Sequence, residues 1–372
     1  MLPLYLKQQI IKDDLKFKDI KPSNFILPKY NPEDHYLELT KSGYFHALII
    51  LRHYIKVASD YYFGIRCGAK NVDLFMLTPS VSSPMGPGSD SEAIPIKFGK
   101  YKSNLVDSSQ FGFEPLLLNG IDKVYCYLPS MRGENPDKRH LNQFFHCEAE
   151  IKGTIDDLIP IIEGYIKFLS EVLLITPNIL TGMSLEPEKT LLSLHKIAES
   201  QKFPQITFDE AVTALVESGN KNLINFTKFG RDLTSAGELK LSEVLKFNTP
   251  FWIKNYDRDR VAFYQKPKPD DLNKVLNADL IFPPIFEKSF GGEIVGCGQR
   301  QDNPEEMYES LSRQNINSEH YEWYINLRKL PKYQTTSGFG LGVERFITWS
   351  LCRDDIKDSI LYPRLKNVKT YP

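Results

Sequence analysis

Gly338, Gly340 and Gly342 alternate along one short segment, and Glu344 and Arg345 follow at once. Glycine at every second position strips one face of a strand of its side chains, so a flat ligand can lie against the backbone. The strand feeds a helix whose first turn carries Arg345. An arginine there can clamp a phosphate or stack its planar guanidinium on a base. The spacing is GxGxG, not the GxGxxG of a dinucleotide fold, which argues against that class of site. Tight packing of a helix on a sheet would use the same glycines.

Arg132 and Glu134, then Arg139 and His140, then Phe144 fall on one predicted hairpin. Arg132 at a strand end can brace an anionic phosphorus centre as charge develops in an in-line attack. Phe144 offers a stacking surface, although a solvated charged turn with one core phenylalanine has the same composition. Asp279 and Glu293 lie on strand-like segments that can run side by side. Two carboxylates facing a triphosphate are the oxygen ligands that magnesium takes, with water and phosphate completing the octahedron. Two surface acids would look no different.

Holding these groups requires a sheet. The patterns predict strands over 121–128 and 143–151, joined through the polar stretch 132–140 as a long antiparallel hairpin. Further strand-like runs cover 72–77, 251–254, 261–264, 278–282 and 293–297. Helices are predicted over 44–58, with Ile49, Leu51, Tyr54 and Val57 on the buried side, and over 155–174. Thr207 to Glu210 is a capping box, and Asn303-Pro304-Glu305-Glu306 starts a further helix. Residues 80–92, rich in Pro, Gly and Ser, form a loop. Residues 1–40, with Pro3, Pro22, Pro28 and Pro32, read as an irregular arm. Residues 41–372 read as one α+β domain built on an antiparallel sheet.

Basic and acidic residues nearly cancel, 46 against 47, so no global positive field draws in nucleic acid. The five cysteines are scattered without a CxxC pair, which suggests neither a disulfide framework nor a thiolate zinc site. The most apolar helical stretch, 158–175, contains Glu163, Lys167 and Glu171 and reads as amphipathic, not membrane-spanning. A cytoplasmic protein is expected.

In this order the segments resemble the class II aminoacyl-tRNA synthetases, specifically the aspartyl/asparaginyl/lysyl subgroup. MRGENPDKRHLNQFFHCEAEI (131–151) is similar to that family's second motif, and GFGLGVERFITWSLCRDDIKDSILYPR (338–364) to its third. Thr78-Pro79 matches the end of the first, which in the family builds a homodimer interface. GRDLTSAGELKLSE (230–243), FYQKP (263–267), EIVGCGQR (293–300) and YEWYINLRK (321–329) extend the match. The resemblance implies an antiparallel sheet flanked by helices, with ATP and an amino acid as substrates and magnesium as cofactor. Arg132 would hold the α-phosphate and the substrate carboxylate. Phe144 and Arg345 would sandwich the adenine beside Gly342, with Glu134, Arg139 and His140 around the ATP, and Asp279 and Glu293 would hold magnesium. Gln110 would meet the substrate amino group, and Glu114, Arg300 and Arg328 would complete the amino-acid pocket. A glutamate at 114 repels a carboxylate and accepts from an amide, which favours asparagine over aspartate.

Several positions depart from the family pattern. Gln143 stands in place of the glutamate of RHLxEF, Asn326 in place of an aspartate, and Thr336-Ser337 in place of His-Gly. The interval from Asp279 to Glu293 is about six residues longer than usual, through the added stretch IFEKSF. About 40 residues precede the first predicted helix, too few for the family's five-stranded anticodon-binding barrel. The expectation is therefore a stand-alone, asparaginyl-type ligase that adenylates asparagine, aspartate or a close analogue. It would pass the acyl group to ammonia, an amine, or a peptide or protein. Charging of tRNA and a regulatory role without catalysis are the alternatives. The charge balance and the missing barrel weigh against the first, and the retained Arg132, Glu134, Phe144, Glu293 and Arg345 against the second.

Overall fold

Residues 2–21, 25–82 and 92–371 are described by the structure, a computed structural model. Most of the loop expected over 80–92 lies outside them. Eight strands make the central sheet: β1 (Lys70–Asn71), β2 (Lys123–Met131), β3 (Gln143–Lys152), β4 (Gln205–Thr207), β5 (Phe251–Lys254), β6 (Asn277–Phe282), β7 (Gly292–Gln299) and β8 (Thr336–Gly342). Their order is β1-β2-β3-β8-β7-β6-β5-β4. The six inner strands are antiparallel, and each edge strand runs parallel to its neighbour.

Alternation along β8 sets the two faces of the sheet. Phe339 and Leu341 enter the main hydrophobic core, where Phe339 meets Phe63 and Tyr165. The intervening glycines face the opposite side. The helix Ile155–Leu174 covers the core face and starts from a capping box formed by Thr154 and Asp157. The Gly43–Asp60 helix packs beside it. The expected capping boxes and caps at Thr207 and Asn303 both form. No described helix is long and apolar enough to cross a membrane, and all five cysteines are free thiols.

Four local expectations differ from the structure. The arm is not irregular throughout: Leu4–Leu15 and His35–Lys41 are helices. Pro3 immediately precedes the first of them, where a missing N–H costs nothing, and Leu6, Ile10, Phe17 and Phe25 are buried in the main core. Ile49 is 47% exposed, because the buried face of its helix is set by Tyr44, Ala47, Leu48, Leu51, Tyr54 and Ile55. Residues 72–76 are not a strand; Leu74 and Phe75 instead close on Gly112. Residues 261–264 form a bend and turn whose Ala262, Phe263 and Tyr264 are all buried, joining a cluster with Tyr321 and Tyr324. Continuous burial of this kind imitates a strand in sequence.

Candidate active site

Two glycine pairs form the floor of a cleft on the open face of the sheet. Gly296 lies opposite Gly340, and Gly298 opposite Gly338, across the β7–β8 ladder. On one side of this floor, β3 presents His146, Glu148 and Glu150 in register with Gly342, Gly340 and Gly338. On the other, β6 places Asp279 opposite Gly296. Glu293 reaches the same face through a register shift. Leu280 pairs with Val295 while Ile281 pairs with Glu293, so β7 carries one extra residue there. Strict alternation would have turned Glu293 toward the core; the bulge re-aims it.

One end of the cleft is a cavity of about 150 Å³, and every residue that the family resemblance assigned to ATP lines it: Arg132, Glu134, Arg139, His140, Phe144, Gly342 and Arg345, together with Glu293. The Arg132 guanidinium stands 5.3 Å from the Phe144 ring centroid, and its Nε is buried without a hydrogen-bond partner. Arg345 donates from Nη1 to the Glu293 carbonyl (3.1 Å) and to Glu293 Oε2 (3.0 Å). Arg139 donates to the Gly291 carbonyl (2.5 Å) and lies over Phe290. His140 is anchored by Asp137 at 2.9 Å, and Glu134 accepts from the Glu92 backbone N–H at 3.3 Å. Burial and the Arg345 charge hold the His140 pKa below its ordinary value.

A divalent cation has a matching pair of donors beside this cavity. A β-carbon on Gly296 would lie 3.2 Å from Glu293 Oε1 and 3.4 Å from Asp279 Oδ1, so both carboxylates converge on one place. Burial, then the Glu293 charge, pushes the Asp279 pKa well up, partly offset by a hydrogen bond from Tyr256. Burial opposes the Glu293 charge as well, but Arg345, Arg132 and Arg139 outweigh it and hold its pKa down. Two carboxylates suit a magnesium ion that keeps water and phosphate ligands. No cluster of three or more metal-type side chains exists among the described residues. The added stretch 285–290 does not separate the pair, since it turns at Phe286 to Ser289 beyond the ladder.

The other end is a cavity of about 220 Å³ that shares Arg132, His146, Glu293 and Gly340 with the first. Gln110 lines it and donates to Tyr264 Oη and to the Ser82 carbonyl (3.2 Å). Arg300 lines it too, but as half of a buried pair: Nε and Nη2 meet Glu150 Oε1 and Oε2 at 3.1 and 2.9 Å. Burial opposes the Arg300 charge, and Glu150 more than restores it. Thr336 braces the pair through a 2.8 Å hydrogen bond to Glu150 Oε1. Glu114 and Arg328 require a correction, because neither lines this cavity. They are joined at 2.8 Å behind it, with the Tyr324 and Tyr333 hydroxyls also on Glu114.

Sequence reasoning missed several lining groups. His146, at the junction of the two cavities, faces the Ser130 hydroxyl at 2.8 Å; burial, then the Arg132 and Arg345 charges, pushes its pKa well below the ordinary value. Glu148 accepts from the Ser109 N–H at 2.8 Å and from the Ser108 hydroxyl. Glu238, outside both linings, accepts from the Glu293 N–H at 3.0 Å. The alternation of polar His146, Glu148 and Glu150 with buried Cys147, Ala149 and Ile151 was the available signal.

The chain matches the family described as tRNA synthetases class II (D, K and N) over residues 33–366. It is 34% identical over 277 residues to an asparagine–tRNA ligase of Pyrococcus furiosus, an alignment covering 74% of this chain and 59% of the relative. Its identity to that of Thermococcus kodakarensis is 31%, covering 74% and 60%. The chain thus spans about three fifths of the length of these curated relatives. The crystal structure of asparaginyl-tRNA synthetase from Pyrococcus horikoshii complexed with asparaginyl-adenylate is similar, with a TM-score of 0.79, 26% identity, and coverage of 91% of this chain and 73% of that one. An Entamoeba histolytica asparaginyl-tRNA synthetase with asparaginyl-adenylate shares the fold, with a TM-score of 0.75 at 21% identity, covering 94% and 74%. The chain belongs to the class II aminoacyl-tRNA synthetase family of the aspartyl, lysyl and asparaginyl type, a family of ATP-dependent ligases.

Proposed function

We propose that this chain activates asparagine, or a close analogue, with ATP to give the aminoacyl-adenylate, and transfers the acyl group to an acceptor other than tRNA: ammonia, an amine, or a peptide or protein. The observation that carries the reading is the junction of the two cavities at Arg132. A substrate carboxylate in one cavity and an α-phosphate in the other would meet there. The carboxylate oxygen attacks the α-phosphorus, the bond to the β-phosphate's bridging oxygen breaks, and pyrophosphate leaves with no proton transfer. Positioning and charge neutralisation are then the whole task. Phe144 and Arg345 clasp the base, and Arg132 faces the reacting centre. Asp279 and Glu293 would hold magnesium, which neutralises the phosphates. Asparagine is favoured because Glu150 neutralises Arg300, leaving a polar pocket end without net charge. A homodimer is part of the proposal, from the family resemblance alone.

Exchange of labelled pyrophosphate into ATP, with a panel of acidic and amide amino acids, tests it. No exchange with any of them rejects activation.

One observation favours tRNA as the acceptor instead. The hairpin of Pro95–Phe98 with Tyr101–Leu105 carries Lys97, Lys100 and Lys102 beside Phe98 and Tyr101, which are 62% and 64% exposed. The C-terminal stretch adds Arg364, Lys366, Lys369, Tyr362 and Tyr371, and both segments wall a cavity of about 450 Å³ next to Gly133. Neither 93–105 nor 362–371 contains an acid. Cations interleaved with exposed aromatics suit single-stranded nucleic acid. Acid-precipitable aminoacyl product on adding total tRNA would decide for this reading.

A further inference from the structure

Gln265, with Arg132, is one of two side chains lining the amino-acid cavity that keep a buried polar atom unsatisfied among the described residues. Its Oε1 is buried and has no hydrogen-bond partner, whereas Gln110, Glu148 and Arg300 around it are all engaged. The position is set by the floor. A β-carbon on Gly298 would overlap the Gln265 carboxamide, so the amide lies directly on that glycine. A β-carbon on Gly338 would overlap the Arg300–Glu150 pair in the same way. Gly298 and Gly338 are cross-strand partners, and neighbouring strands are about 5 Å apart. The Gln265 amide and the Arg300–Glu150 pair therefore sit side by side, at the end of the cleft remote from Arg345. The backbone of the Gln265 segment is fixed there by a bridge between Gln265 and Arg300 and by the Lys266 N–H to the Gln299 carbonyl (2.9 Å).

We infer that Gln265 is a specificity residue that pairs with a primary carboxamide on the substrate side chain and disfavours a carboxylate; this rests on the reading that the cleft takes an amino acid. The terminal torsion of glutamine is broad and roughly two-fold, so the amide can offer the cleft its carbonyl or its NH2. A carboxamide supplies both complements, its NH2 to Oε1 and its carbonyl to Nε2. A carboxylate can only accept, so it leaves Oε1 without a donor and brings negative charge beside Glu150. A site built for a hydrogen bond rejects the ligand that leaves its buried group unpaired. Arg300 does not reverse this, because its charge is already matched by Glu150.

The test compares Gln265→Met, close in size, with the wild type in pyrophosphate exchange, using asparagine and aspartate in parallel. The expected result is a KM for asparagine about tenfold higher, the effect of one buried hydrogen bond. The KM for aspartate should change less than about twofold and kcat should stay nearly constant, since a hydrogen bond made equally in ground and transition states acts on KM. Equal changes for both amino acids, or none for either, overturn the inference. Gln265→Glu adds a control: it keeps the acceptor for the substrate NH2 and loses the donor to its carbonyl, so it should weaken aspartate clearly more than asparagine, whereas a purely structural role would weaken both equally. If the wild type exchanges neither amino acid, activation is rejected, and equilibrium dialysis of labelled asparagine and aspartate then decides the role of Gln265. Selective loss of asparagine binding in Gln265→Met supports the inference; an equal loss, no loss, or no binding by the wild type overturns it.

Discussion

Arg345 grips Glu293 twice, at the backbone carbonyl (3.1 Å) and at Oε2 (3.0 Å), so the helix that ends the glycine strand is tied to the bulge of the neighbouring strand. The same guanidinium lines the cavity proposed for the nucleotide. Removing it should loosen both the clasp on the base and the aim of a magnesium ligand. Arg345→Ala should lower kcat/KM for exchange by roughly 10²–10³-fold, with little change in thermal stability, as the pair is partly exposed. Arg345→Lys should recover little, since a point charge cannot replace a planar fork. Near-normal exchange in the lysine variant would show that only charge matters there.

Arg132→Ala should abolish measurable exchange with every amino acid while circular dichroism and the melting profile stay unchanged. The residue has no hydrogen bond on Nε to lose, and its contact with Phe144 is a modest stacking term. Normal exchange would displace Arg132 from the reacting centre and separate the two cavities chemically.

Two glycines of one motif should behave differently. A β-carbon on Gly340 would sit 3.6 Å from Glu148 Oε1 and 3.9 Å from the His146 ring, ordinary contact distances. Gly340→Ala should therefore fold normally but raise the floor, increasing the KM for ATP about tenfold. Gly338→Ala would instead drive into the Arg300–Glu150 pair and the Ala149 carbonyl. Disturbing a buried pair should cost on the order of 2–4 kcal/mol in urea unfolding. Equal stability of the two variants would show that the pair can shift freely.

The sequence carried the chemistry further than the geometry. Arg132, Phe144, Gly342 and Arg345 were legible because strand alternation and a helix start depend on local residue types, and the structure brings all four to one cavity. Glu293 was legible as a residue but not as an orientation, because a one-residue bulge in β7 leaves no mark in composition. The place of Glu114 and Arg328 behind the cavity lining was illegible for a related reason. Both are charged residues near substrate-like motifs, and only packing reveals that they neutralise one another. Ile49 and the helix Leu4–Leu15 show the same limit in the fold: apolar residues announce burial somewhere, but the tertiary partner decides which face is used.

Asp279 and Glu293 share one place above Gly296, and like charges so close weaken the fold unless a cation joins them. Asp279→Asn removes that repulsion along with one magnesium donor. The variant should melt higher than the wild type in EDTA at neutral pH, yet lose exchange by roughly 10²-fold and gain less thermal protection from magnesium with ATP. Wild-type magnesium dependence in the variant would remove Asp279 from the metal's ligands.

Asp358 provides a pH test of the fold. It lies in the turn Ile356–Ser359, where burial raises its pKa from 3.8 to about 6, with Arg353 opposing and Asp355 and Asp354 adding to the shift. The folded chain then binds more protons than the unfolded chain between those two values. Stability must fall as pH rises through that window and stay lowered above it. Asp358→Asn removes the titration, so it should gain roughly 2 kcal/mol over the wild type at pH 8 and almost nothing near pH 3.5. Urea midpoints at four pH values from 3.5 to 8 would resolve this. A gain that is the same at both ends would identify a packing effect, since the amide and the carboxyl differ in charge only above the window.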